Sequence, residues 1–402
     1  MIFNLMLKPA GARCNLRCTY CYYLGKQRLY DGASQTMSDD LLERLTRDYI
    51  NSQPTSEVLF TWHGGEPLLR PLSFYRRALA MQQRYADGRR IRNCIQTNGT
   101  LLTHDWCRFL CDNDFLVGIS IDGPQAEHDA YRMDKNGLPS FDGVMRGIDL
   151  LNQYGVQWNG MAVVNRQNAR RPLSFYNFFR RLGCCYLQFT PVVERTVRCA
   201  DGERLAAVEE DHSVARLADY SVTPEQWGTF CCTIFDEWVR RDVGHVFIQL
   251  FDATLANWVG APPGVCTLAR TCGHTAAVEW NGDLYPCDHF VFPQYHLGNV
   301  ADRPLQEMMS SGRQQSFSRM KTASLPSQCR HCRYLFACNG ECPRNRFCQT
   351  DLGEPGLNYL CPGYHRFFAH VAPYMDYMAA ELAAHRPPSN IMGALRKGVL
   401  SL

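Results

Sequence analysis

Cys14-Asn15-Leu16-Arg17-Cys18-Thr19-Tyr20-Cys21 brings three thiols together within eight residues. The run before it, Ile2-Phe3-Asn4-Leu5-Met6-Leu7, is short and apolar and reads as a first β-strand. The loop after a strand is where a parallel α/β fold places its chemistry. A 4Fe–4S cluster normally takes four thiolates. Three leave one iron open to a small molecule carrying an amine and a carboxylate. The plain alternatives are a structural zinc site or three unrelated core thiols. Zinc usually takes four ligands in paired knuckles, and no fourth Cys or His lies near the triplet.

Outward from this loop, strand and helix patterns alternate to about residue 193. Strands are expected at Ile2–Leu7, Val58–Trp62, Ile91–Gln96, Leu116–Ile121, Gln157–Val164 and Tyr186–Pro191. Between them lie amphipathic helices. Ser38 caps one that carries Leu41, Leu42, Leu45 and Tyr49 on one face; Thr103 caps another with Trp106, Phe109 and Leu110. A third runs from Phe141 to Tyr154 and stops at Gly155. Six strand–helix units in series predict a parallel sheet. Residues 192–221 read as a polar, solvated insertion, followed by helices over Thr223–Arg241 and Phe247–Val259. From Cys266 the texture changes to cysteines, glycines and short strands, and a closing helix is expected around Tyr374–His385.

The 402 residues carry 46 % hydrophobic side chains and a net charge of +3. That permits a sizeable core and gives no reason to expect nucleic acid or an anionic membrane as partner. No run of about 18 apolar residues predicts a spanning helix. The 20 cysteines fall in short-spaced groups without a secretory leader, which favours metal or cluster ligation in a reducing cytoplasm over disulfides.

Polar motifs recur where the strands end. Gly64-Gly65-Glu66-Pro67 follows the second, Gln96-Thr97-Asn98-Gly99 closes the third, and Ser120-Ile121-Asp122-Gly123 closes the fourth, with Tyr131-Arg132 soon after. Alone, each is compatible with a turn or a helix cap. With the Cys-x-x-x-Cys-x-aromatic-Cys triplet they resemble the radical S-adenosylmethionine (SAM) superfamily. That resemblance implies that Cys14, Cys18 and Cys21 hold a SAM-binding cluster. Gly64 and Gly65 then let the backbone approach the cofactor, Glu66 receives its amine, Ser120 and Arg132 meet its ribose or carboxylate, and Tyr20 lies against it. Asp122 is expected to be structural.

Eight further cysteines follow: Cys266, Cys272, Cys287, Cys329, Cys332, Cys338, Cys342 and Cys361. Eight thiolates make two four-ligand sites; two zinc ribbons would use the same count. Asn281-Gly282-Asp283-Leu284-Tyr285-Pro286-Cys287-Asp288 reads as a turn and hairpin delivering one of them. This pattern resembles the SPASM auxiliary-cluster domain, and the whole chain is most similar to anaerobic sulfatase-maturating enzymes. The resemblance implies a partial (β/α)6 TIM-like barrel over 1–221, a helical connection over 222–265, a SPASM domain over 266–373 and a C-terminal helix and tail over 374–402. It assigns Cys266, Cys272, Cys287 and Cys342 to one auxiliary cluster and Cys329, Cys332, Cys338 and Cys361 to another, making three 4Fe–4S clusters with SAM.

The implied activity is oxidation of a Cys or Ser in a sulfatase Cys/Ser-x-Pro-x-Arg motif to Cα-formylglycine. A flavodoxin- or ferredoxin-like donor would supply the electron. Asp288 is the implied base, with a raised pKa expected beside an anionic cluster. Tyr23 is implied to face the cofactor and substrate pocket. Two residues depart from the family's usual pattern: His63 stands where Gln is common, and Glu341 where a second glycine is usual. A maturase forming thioether or C–C crosslinks in a ribosomal peptide is the alternative within radical chemistry. An iron–sulfur electron-transfer or zinc-binding protein is the alternative outside it.

Overall fold

The computed structural model describes residues 2–26, 35–199, 202–206 and 215–400. The chain packs as two compact units. One comprises Met1–Ile121, His128–Asn159 and Gly273–Ser318; the other comprises Asp122–Glu127, Gly160–Cys272 and Arg319–Leu402. Within the first unit, 273–318 packs with the N-terminal strands.

In the first unit four strands are parallel: β1 (Asn4–Leu7), β2 (Glu57–Trp62), β3 (Arg90–Thr97) and β4 (Leu116–Ser120). Alternating burial along β2 (Val58, Phe60 and Trp62 inward) sets its register. Helices Asp39–Ser52, Leu72–Tyr85 and His104–Asp112 cross between the strands. Ser38 and Thr103 cap two of them as expected, each side chain accepting a backbone N–H, from Leu41 and Trp106 respectively. The strand Thr275–Val278 lies parallel to β1 and turns back through Gly282 to Asp283–Tyr285, so the expected hairpin forms.

This register builds the site. Leu7 pairs with both Trp62 and Val278. The residues that follow each of these, Lys8, His63 and Glu279, therefore leave the sheet in one row.

In the second unit β5 (Trp158–Val164, from Gly160 onward) and β6 (Tyr186–Pro191) run parallel, with Phe247–Ile248 parallel on the far side of β6. Phe175, Phe179, Phe230, Phe235, Trp238, Phe251 and Phe367 fill its core. Six strands, parallel within each unit and the first five each followed by a helix, bear out the expected α/β order; the small sheet of 195–217 intervenes between the sixth and its helix.

Two expectations fail here. The 192–221 segment is not simply a solvated insertion: it contains a small antiparallel sheet of Arg195–Cys199, Gly202–Leu205 and Arg216–Leu217, and Glu194 is buried in an ion pair with Arg344. The closing helix runs Cys361–Ala383, well before Tyr374. Pro373 sits inside it, where it looked like a boundary; the buried faces of Tyr364, Phe367, Phe368, Val371 and Met375 outweigh one lost backbone hydrogen bond. A short helix, Asn390–Arg396, follows. No helix among the described residues is long and apolar enough to cross a membrane.

Candidate active site

The cysteine triplet lies in the loop after β1, pinned by Arg17 N–H to Met133 O (2.8 Å) and Thr19 N–H to Tyr131 O (2.9 Å). Burial pushes the thiols of Cys14 and Cys21 up to about 12, with Glu66 adding to the rise at Cys14 and Cys18 to that at Cys21. Buried thiols such as these ionise only where a cationic centre binds them. Among the described residues no three Cys, His, Asp or Glu side chains converge on a single-ion site.

The Gly64-Gly65-Glu66 turn docks on this loop. Gly65 N–H donates to Gly11 O (2.9 Å) and Glu66 N–H to Arg13 O (2.8 Å). A Cβ on Gly65 would stand 2.2 Å from Arg13 O, so only glycine permits the approach. Glu66 is fully buried, and its carboxylate accepts from Leu68 N–H (2.9 Å), Thr97 Oγ1 (2.8 Å) and Asn98 N–H (2.8 Å). Burial raises its pKa to about 7 against the pull of those three donors. Such a carboxylate is poised to become an anion when an ammonium group arrives. The Arg132 guanidinium covers the Tyr20 ring at 5.5 Å, and Ser120 Oγ accepts from Gln96 Nε2 at 2.9 Å. Asp122, in the second unit, accepts from Val163 N–H (2.9 Å), in keeping with a structural role.

Asp288 begins the short turn after Cys287 and is buried. Its carboxylate is surrounded by donors: Tyr22 Oη and Tyr23 Oη (2.8 Å) to Oδ2, and the ammonium groups of Lys8 and Lys26 (3.3 Å) to Oδ1. Lys26 also donates to the Asp288 backbone carbonyl. The expectation of a raised pKa is overturned. Burial favours the neutral acid, but the charges of Lys26 and Lys8 beside it hold the carboxyl well below the usual carboxylate range. Lys8 is in turn bound by Glu279 Oε1 at 2.6 Å and stays charged despite complete burial. Lys26 is pulled down to about 8, chiefly by burial.

His63 is neutral, its pKa lowered to about 4 by burial. Its Nδ1 accepts from Gly64 N–H at 2.8 Å, which leaves the proton on Nε2. Tyr23 Oη stands 3.1 Å from the same Nδ1 and gives its one proton to Asp288 Oδ2.

The sequence reading missed Lys8, Lys26, Tyr22 and Glu279. Lys8 had a visible signal: it is a lone cation ending an apolar strand, at the position where such a strand contributes to a site.

Seven of the eight expected auxiliary ligands, Cys266, Cys272, Cys329, Cys332, Cys338, Cys342 and Cys361, lie in the second unit. Lys321 Nζ donates to Cys266 O (2.6 Å) and Thr267 O (2.7 Å), and Cys266, Cys272 and Cys342 all act on its charge. Cys329, Cys338 and Cys361 act on one another, and Cys332 acts on Cys361; burial pushes Cys338 and Cys361 up to about 12. Cys287 stands in the first unit, at the end of the hairpin. Asn339, Gly340 and Glu341 are all left-handed, with φ of 49°, 71° and 52°. Glu341 tolerates this because its Oε2 accepts from Asn358 Nδ2 (2.6 Å) and Asn345 Nδ2 (3.2 Å) in a buried network.

Two family models match the chain: the radical SAM superfamily over residues 9–179 and an iron–sulfur cluster-binding domain, SPASM, over residues 266–333. A serine-type anaerobic sulfatase-maturating enzyme of Bacteroides thetaiotaomicron is 60 % identical over 99 % of this chain and 96 % of its own. A cysteine-type anaerobic sulfatase-maturating enzyme of Clostridium perfringens is 32 % identical over 94 % of this chain and 98 % of its own. The solved structure of native anSMEcpe with bound AdoMet and Cp18Cys peptide superposes with a TM-score of 0.82 at 31 % identity, over 95 % of this chain and 100 % of that one.

Proposed function

The chain belongs to the anaerobic sulfatase-maturating enzymes of the radical SAM superfamily, and from that membership we propose that it oxidises a seryl residue of a sulfatase, within Ser-x-Pro-x-Arg, to Cα-formylglycine. The serine-type relative, at 60 % identity across almost the full length, supports Ser over Cys as the target.

In this reading Cys14, Cys18 and Cys21 hold the SAM-binding cluster. The Gly64–Gly65 backbone admits the cofactor, Glu66 binds its amine, and Ser120, Arg132, Tyr20 and Tyr23 surround it. The remaining ligands are Cys266, Cys272, Cys287, Cys329, Cys332, Cys338, Cys342 and Cys361. When bound, the SAM-loaded cluster supplies a 5′-deoxyadenosyl radical that can take a hydrogen from an unactivated Cβ, and the auxiliary clusters supply an electron acceptor.

The protein's own contribution is to hold the target and accept a proton. Oxidation of CH2–OH to CHO removes one hydrogen atom, one proton and one electron. Asp288 takes the hydroxyl proton. Its ionised state is secured in advance by Lys8 and Lys26, and its lone pairs are aimed by Tyr22 and Tyr23. Proton acceptance then requires one of those donors to withdraw. A flavodoxin- or ferredoxin-like protein delivers the initiating electron, and the reaction runs in the cytoplasm.

The observation that carries the proposal is the buried Asp288 directly after Cys287, held by four donor side chains. Mass spectrometry of Ser-x-Pro-x-Arg and Cys-x-Pro-x-Arg peptides tests it, after anaerobic incubation with reconstituted protein, SAM and reductant. An aldehyde at Ser supports the proposal. An aldehyde only at Cys would reverse the target, and SAM cleavage with no aldehyde on either peptide would count against sulfatase maturation.

A further inference from the structure

Asn98 follows β3 and is 7 % exposed. Every hydrogen-bonding position of its side-chain amide is occupied. Oδ1 accepts from Thr100 N–H (3.0 Å) and Thr100 Oγ1 (2.7 Å). Nδ2 donates to Asn15 Oδ1 (2.9 Å) and to Cys14 Sγ (3.6 Å). Asn15 Nδ2 donates back to Thr100 Oγ1 (2.9 Å), closing a ring of three side chains. The two donors on Oδ1 fix the orientation of the amide, so its NH2 group must face the Cys14 sulfur. The Leu16 backbone N–H adds a second donor to that sulfur at 3.3 Å. Asn98 also gives its own backbone N–H to Glu66 Oε2 at 2.8 Å.

One residue thus grips both partners of the cofactor site. We infer that Asn98 is a positioning and tuning residue: its side-chain amide donates to the Cys14 thiolate and raises the reduction potential of the cluster held there, while its backbone fixes Glu66 for the amine of SAM. The physical reason is charge. A cluster gains negative charge on reduction, so a donor on a ligating sulfur stabilises the reduced form more than the oxidised form. The effect is larger in a partly buried site than in water. The Asn15–Thr100 ring keeps the donor from rotating away. The inference rests on the reading of Cys14, Cys18 and Cys21 as cluster ligands.

The test is a redox titration of the anaerobically reconstituted full chain, followed by electron paramagnetic resonance. The signal that changes when SAM is added identifies the cluster with the open iron. In Asn98→Ala that signal should appear at a lower midpoint potential. SAM affinity should stay within about threefold, because the backbone N–H to Glu66 survives the substitution. Asn98→Asp keeps the shape, loses the donor and adds a charge, so its potential should fall further; it also serves if the alanine variant does not assemble. An unchanged midpoint potential in Asn98→Asp, with a full SAM-responsive signal, would overturn the inference. Absence of any SAM-responsive signal in the unsubstituted protein would instead overturn the reading of the triplet.

Discussion

Replacing Lys8 by Met removes one cation beneath Asp288 and leaves a side chain of similar reach. The Lys8 ammonium is fully buried between Glu279 Oε1, at 2.6 Å, and the Asp288 carboxylate. Removing one partner of a buried ion pair costs about 3–5 kcal/mol, because the other charge is left uncompensated. Glu279 bears most of that cost, since Asp288 still has Lys26, Tyr22 and Tyr23. At about 1.4 kcal/mol per factor of ten, local opening of β1 should become roughly 10²- to 10⁴-fold more frequent. Amide hydrogen exchange at Leu5, Met6 and Leu7, followed by mass spectrometry on the reconstituted chain, reads this directly. The double variant Lys8→Met/Glu279→Leu removes both charges. Replacing a buried pair by apolar side chains of similar size is often neutral, so exchange should return to within about tenfold of the parent. Both variants should form less aldehyde, because Asp288 has lost one of its two cations. Wild-type exchange in the single variant, or equal destabilisation in the double, would refute the reasoning.

Asp288→Asn keeps an acceptor for Tyr22 and Tyr23 but cannot take a proton, so aldehyde formation should fall about 10²- to 10⁴-fold while 5′-deoxyadenosine is still released, both read by mass spectrometry. SAM binding should weaken below pH ~7, by up to about tenfold per unit, because the protonated Glu66 that prevails there in the free protein must give up its proton to meet the ammonium; calorimetric titration across pH 6–8 should also detect that released proton. Gly65→Ala drives a methyl group into the Arg13 backbone, and the displacement of about 1 Å needed to relieve it should cost on the order of 10²-fold in SAM affinity.

The parts of this molecule legible in its sequence are those with short-range signals. The six main strands announce themselves as apolar runs, and the motifs after them mark the strand ends; Ser38 and Thr103 cap helices because their chemistry is local. The parts that were not legible depend on distant pairing. Lys8 and Glu279 lie 271 positions apart and meet only because Thr275–Val278 adds beside β1. The sign of the Asp288 shift followed from that meeting, since two lysines decide it and neither neighbours Asp288 in the chain. Pro373 misled for the opposite reason: a local signal for a boundary, with the helix starting only after it, was overridden by the buried aromatic face that continues through it.

Transfer of deuterium tests the central claim most directly. A Ser-x-Pro-x-Arg peptide with both Cβ positions deuterated is incubated anaerobically with the reconstituted protein, SAM and reductant, and the products are weighed. Deuterium is expected in 5′-deoxyadenosine, in step with one aldehyde formed per molecule of SAM cleaved and one deuterium left on the aldehyde carbon. Aldehyde formation with no deuterium in 5′-deoxyadenosine, or deuterium transfer from a position other than the Ser Cβ, would contradict it.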